Sequence, residues 1–127
     1  MRIAIDTNRY RDFLSADPDV QKRLREPERI YVPFVTLGEL RAGFLSGSKG
    51  RENERILDQF LSTPRVRTLH PTDRTSRFYA QLYFQLRSSG TPIPTNDLWI
   101  AALVMENDLY LFSRDHHFDC LPQLPRF

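Results

Sequence analysis

Apolar residues fall into two alternating patterns along the chain, short unbroken runs and longer stretches with helical spacing. Arg2 to Ile5 is the first run; Asp6 stops it, and it predicts a buried strand. From Thr7 to Ser15 the spacing of Tyr10, Phe13 and Leu14 suits a short helix. Asp17-Pro18 reads as an N-cap followed by proline at the first helical position, opening a second helix to about Arg25. Ile30 to Val32 is a second strand stopped by Pro33. TLGELRAGFL then places Leu37, Leu40, Ala42 and Phe44 on a helix that carries Glu39. Gly47 to Gly50 breaks it, and Ile56, Leu57, Phe60 and Leu61 continue in a helix from about Glu52, so the two form a hairpin.

Pro64 with the alternating Val66 and Leu69 predicts a third strand. Thr72 caps a long amphipathic helix in which Phe78, Leu82 and Leu86 line one face, Tyr79 and Tyr83 extend it, and Gly90 ends it. After the Pro92-Ile93-Pro94 loop, Thr95 or Asn96 caps the strongly apolar helix DLWIAALVMEN, and Leu109 to Phe112 is the last strand. The tail, with Pro122 and Pro125, reads as irregular. Strands separated by helices give an α/β chain, a parallel sheet of four to five short strands flanked by helices, in one domain over residues 1–127. Right-handed crossovers bring every strand's carboxyl end to the same edge, where open α/β sheets place their ligand sites.

Composition changes this picture little: 40% hydrophobic and 27% charged residues describe a chain that folds, not a disordered one. The lone Cys120 excludes an intrachain disulfide, no Cys/His spacing resembles a zinc site, and a reducing compartment fits. The apolar run of MRIAIDTN is too short for a signal peptide or a membrane span, so the protein is expected to be cytoplasmic. Net charge is only +2, yet 16 of the 18 basic residues are arginine, whose planar fork matches phosphate. An arginine-favouring genome gives the same count, so this feature supports a nucleic-acid partner without establishing one.

The candidate chemistry lies in carboxylates. Asp6 follows the first strand and Asp115 the last, so both are expected at the carboxyl edge. Asp97 falls in the first turn of the most apolar helix, where the helix dipole favours a negative charge. Glu39 has Val35, Ala42 and Gly43 as its neighbours one turn away and is expected to face the sheet. Singly, an Asp in such places is more often a helix cap than a ligand. Gathered together, four carboxylates repel one another unless a cation sits among them, and oxygen donors favour Mg2+ or Mn2+ over zinc.

IDTN after the first strand, GELRAG on a helix, NDLWIAA opening a late helix, and SRD followed by HF after the last strand occur in the order of the PIN-domain family. The chain resembles the VapC-type toxins of bacterial toxin–antitoxin pairs over essentially its whole length. The resemblance implies a PIN fold and a Mg2+- or Mn2+-dependent endoribonuclease acting on tRNA or rRNA, a cognate VapB-type antitoxin, and a homodimer. It assigns Asp6, Glu39, Asp97 and Asp115 as catalytic, metal-holding acids and Thr7, Asn8 and Ser113 as the polar residues that orient them. Arg9, Arg11 and Arg114 are candidates for substrate phosphates, and Phe78, Tyr79 and Tyr83 for the dimer contact. Where related toxins often carry a further acid after the Asp115 position, this chain has His116 and His117, read as exposed loop histidines. A phosphatase of the haloacid dehalogenase type would want a second aspartate at position 8, which is Asn. A catalytically silent PIN scaffold that binds RNA or protein is the remaining alternative.

Overall fold

The computed structural model describes residues 1–127. In chain order the elements are β1 (Arg2–Ile5), α1 (Thr7–Leu14), α2 (Pro18–Arg23), β2 (Arg29–Pro33), α3 (Phe34–Ser46) and α4 (Gly50–Leu61). They continue with β3 (Val66–Leu69), α5 (Asp73–Ser89), α6 (Thr95–Glu106), β4 (Tyr110–Phe112) and a 3-10 turn at His116–Cys120. The four strands form one parallel sheet in the order β3-β2-β1-β4. Parallel strands covered on both faces need unbroken apolar runs, which is why RIAI, IYV and YLF read as they do.

Alternation along the strands divides the core in two. Ile3, Ile5, Ile30, Val32 and Phe112 face Tyr10, Val20, Leu40 and Leu57 of the first four helices. Ala4 and Leu111 face Leu82 and Leu86 of α5, the apolar face of α6, and Phe118, Leu121 and Leu124 of the tail. From β1 the chain moves outward through β2 to β3, then crosses back to lay β4 on the other side of β1. The direction of winding therefore reverses between β1 and β4, the position at whose carboxyl ends open α/β sheets set a ligand crevice.

Local chemistry explains the departures from expectation. α2 stops at Arg23, short of Arg25: the chain tightens into a turn in which the Arg25 N–H reaches Lys22 O at 3.2 Å. α4 begins at Gly50, ahead of Glu52; a Cβ at Gly50 would run into the Phe44 carbonyl oxygen, so only glycine lets the chain turn this closely. Neither Thr95 nor Asn96 caps α6; Pro94 does, its φ of −56° being preset by the ring. Thr72 and Thr75 form the capping box of α5, and Gly90 ends it in the left-handed region at φ 70°. The tail is not wholly irregular: Leu111 N–H donates to Pro125 O at 2.8 Å and Leu111 O accepts the Phe127 N–H at 2.9 Å, so the tail lies along β4 and covers that edge.

Of the aromatic residues on α5, Tyr79 stacks on Trp99 of α6 at 4.0 Å and Phe78 packs against the core, so both serve the α5–α6 contact. Tyr83 and the neighbouring Phe84 stay exposed. No helix is long and apolar enough to cross a membrane.

Candidate active site

Asp6 continues the β1–β4 ladder through its own N–H, which donates to Phe112 O at 3.0 Å, and its carboxylate projects beyond the sheet. It is both a cap and a site residue. Oδ1 accepts the Thr7 N–H at 2.8 Å at the start of α1, and Oδ2 accepts the Ser113 hydroxyl at 2.6 Å. Ser113, the first residue after β4, is itself buried and also accepts the Asp115 N–H at 3.0 Å. The Asn8 amide nitrogen reaches Ser113 Oγ at 3.3 Å and Asp6 Oδ2 at 3.4 Å, while its oxygen accepts the Arg114 N–H at 3.3 Å. The ends of β1 and β4 are thus bound by side chains as well as by the sheet.

Glu39 reaches the same edge from α3. One turn earlier, buried Thr36 donates its hydroxyl to the carbonyl of Ile5, the residue before Asp6, at 3.3 Å. That bond fixes the start of α3 against the end of β1, and a residue three positions later lies on the same helix face. Glu39 accordingly accepts the Thr7 hydroxyl at 2.7 Å and the Asn96 amide at 3.4 Å, joining α1, α3 and α6.

Asp97, in the first turn of α6, and Asp115, the cap of the 3-10 turn, are joined by His117, which reads in the sequence as an exposed loop histidine without a role. His117 Nδ1 lies 3.0 Å from Asp97 Oδ2 and 2.9 Å from Asp115 Oδ1. Its neighbour His116 behaves as expected of a loop histidine, pairing only with Asp119 at the surface. The donor atoms of Asp97, Asp115 and His117 all lie within 4.8 Å of one another, the charge of Asp6 acts on Asp97, and that of Glu39 acts on Asp6. The signal that could have found His117 is its place two residues after Asp115, where a short turn carries it back over the preceding carboxylate. Thr36 left no signal, because its partner is a backbone carbonyl from another strand.

The carboxylates feel one another. Burial raises Asp6, the bonds from Ser113 and Thr7 oppose this, and the charges of Glu39 and Asp115 add to it. Asp97 is pushed up to about 6, first by burial and then by the charges of Asp115 and Asp6, against the hydrogen bond from His117. Desolvation works against the charged form of His117, but the Asp115 and Asp97 carboxylates outweigh it and hold the ring above its usual value. Clustered anions under such strain, offering oxygen donors and one imidazole nitrogen, fit a divalent cation.

The arginines are less available than the sequence suggested. Arg9 lies over the Phe112 ring at 4.9 Å and pairs with Asp12 at 3.4 Å. Arg114 grips the same Asp12 with two prongs at 3.0 and 3.2 Å. Both are engaged in joining α1 to the β4 loop. Arg11 rests against α3, where a Cβ at Gly43 would lie 3.0 Å from its Nη2, and it is exposed and in no ion pair.

Comparison with known proteins follows the same lines. The PIN domain model matches residues 3–123. Ribonuclease VapC5 of Mycobacterium tuberculosis is 34% identical over 95 residues, 75% of this chain and 70% of that protein. Ribonuclease VapC4 of the same organism is 31% identical over 93 residues, 73% of this chain and 72% of that protein. Among solved structures, VapBC2 from Rickettsia felis, bound to a DNA fragment from their promoter, superposes with a TM-score of 0.88. The identity there is 25%, covering 100% of this chain and 98% of that one. VapBC-5 from Mycobacterium tuberculosis, of the VapBC family of toxin–antitoxin systems, superposes at 0.73 with 27% identity, covering 99% and 98%.

Proposed function

The chain belongs to the PIN-domain family, and on that premise we propose that it is the toxin of a toxin–antitoxin pair, a divalent-metal-dependent endoribonuclease restrained by a VapB-type antitoxin. The observation that carries this reading is the meeting of Asp6, Glu39, Asp97 and Asp115 at the β1–β4 crevice, in a chain whose relatives are ribonucleases. Asp6, Asp97, Asp115 and Glu39 would hold the ion, directly or through water. When bound, Mg2+ or Mn2+ supplies charge neutralisation at the scissile phosphate and lowers the pKa of water.

The chain's own residues do the remainder. Ser113 and Thr7 fix the two oxygens of Asp6, so its carboxylate cannot rotate away from the crevice. Thr7 and Asn96 do the same for Glu39. With a pKa near 6, Asp97 is ionised at neutral pH and takes up a proton in mild acid. The substrate is RNA, of the tRNA or rRNA kind, which places the work in the cytoplasm, and the working form is a homodimer.

Incubating the purified protein with tRNA and rRNA, in Mg2+ or Mn2+ and then in EDTA, tests the reading beside Asp6→Asn. Cleavage is expected only for the wild type with metal. Cleavage that survives both chelator and substitution sinks the four-acid mechanism, and RNA binding without cleavage identifies a silent scaffold.

A further inference from the structure

We infer that His117 is a ligand of the site's divalent ion through Nδ1, and that this nitrogen makes the site take Mn2+ ahead of Mg2+. The inference rests on the metal-dependent reading above and adds to it a donor that is not a carboxylate.

The backbone sets the ring. Asp115 caps the 3-10 turn by accepting the His117 N–H at 2.9 Å, and Phe118, fully buried, anchors the next position in the core. Between these two fixed points the His117 side chain is directed over the crevice, whereas His116 is 97% exposed and turned to Asp119. His70 stacks on Phe34, on another part of the molecule. His117 is therefore the one imidazole at the site.

The same spacing that lets Nδ1 hydrogen-bond Asp97 and pair with Asp115 also suits an ion's coordination shell. Donors at about 2.1 Å from an octahedral cation lie about 3.0 Å apart when they are neighbours. Nδ1 lies 3.0 Å from Asp97 Oδ2 and 2.9 Å from Asp115 Oδ1, carboxylates that come from separate elements. An ion seated there takes two oxygens and the nitrogen with little rearrangement. Mg2+ demands hard oxygen donors and holds its waters tightly, while first-row transition ions accept imidazole readily. A single nitrogen in a carboxylate site thus discriminates between the two ions commonly offered to such enzymes.

Mn2+ is the probe. Pulsed electron paramagnetic resonance of the Mn2+-loaded protein is expected to show nitrogen coupling, lost in His117→Asp and kept in His116→Ala. Calorimetric titration is expected to show the preference for Mn2+ over Mg2+ falling roughly tenfold or more in His117→Asp, which keeps a hard donor in place. Mn2+ that binds without nitrogen coupling, or an unchanged preference, overturns the assignment of His117 and leaves the metal-dependent reading standing. Failure of wild type and His117→Asp alike to bind Mn2+, in protein with native circular dichroism, overturns both.

Discussion

Ser113 Oγ donates to Asp6 Oδ2 at 2.6 Å, a bond between residues 107 positions apart that ties the end of the last strand to the end of the first. Both partners are buried, so removing the hydroxyl leaves Asp6 Oδ2 with only the 3.4 Å contact from the Asn8 amide and strands the Asp115 N–H. Ser113→Ala is expected to cost about 1–3 kcal/mol of stability, read by denaturant unfolding, and to slow RNA cleavage about 10- to 100-fold. Ser113→Thr keeps the hydroxyl and should keep most of both. An alanine variant with wild-type cleavage would remove Ser113 from the positioning of Asp6.

Asp97 makes the metal-free protein pH-sensitive. Its carboxyl titrates at about 6 when folded and near 3.8 when unfolded, so the folded state holds the proton longer. This contribution to stability is complete below the unfolded value and is lost as the pH rises toward 6. Asp97→Asn should therefore melt higher than wild type at pH 7 in EDTA, by at most on the order of 3 kcal/mol, and no higher at pH 4. Loss of the contact with His117 reduces the gain. Saturating Mn2+ should reverse the order, since only the wild type retains the full site. Melting curves at the two pH values, with and without metal, check each sign.

Two glycines on the helical hairpin should respond in opposite senses. Gly38 lies in the interior of α3 with nothing within 4 Å of an added Cβ, so Gly38→Ala should stabilise by about 0.5–1 kcal/mol. Gly50→Ala drives a methyl into the Phe44 carbonyl and should destabilise by about 1–3 kcal/mol. Thermal melts of the two variants side by side are sufficient.

Thr36→Val is nearly isosteric and removes the bond to the Ile5 carbonyl. It should cost about 1–2 kcal/mol and loosen the approach of Glu39 to Thr7, lowering cleavage more than folding. Cleavage falling only in step with the folded fraction would show that Thr36 supports the core alone.

The sheet and its covering helices were legible because each strand is an unbroken apolar run and each helix carries a stripe. Asp6 and Asp115 could be assigned to the carboxyl edge from their places after strands. What stayed hidden depends on partners remote in sequence. The partner of Thr36 is a carbonyl of β1, and the tail pairs with Leu111 through backbone groups that leave no side-chain pattern. Arg9, Arg11 and Arg114 sit beside motifs, yet sequence adjacency does not tell that Asp12 holds two of them. His117 is the sharpest case: His116 and His117 are chemically alike, and only the twist of a five-residue turn separates the one facing solvent from the one over the acids.

The pairing of β1 with β4 also sets when the crevice can exist. Asp6 leaves the ribosome early, but Asp97 emerges only after β3 and Asp115 and His117 only after β4, and contacts that close such long loops carry the larger entropic cost. A growing chain therefore lacks the assembled acidic cluster. The site closes only when the last strand has been made and has docked beside the first.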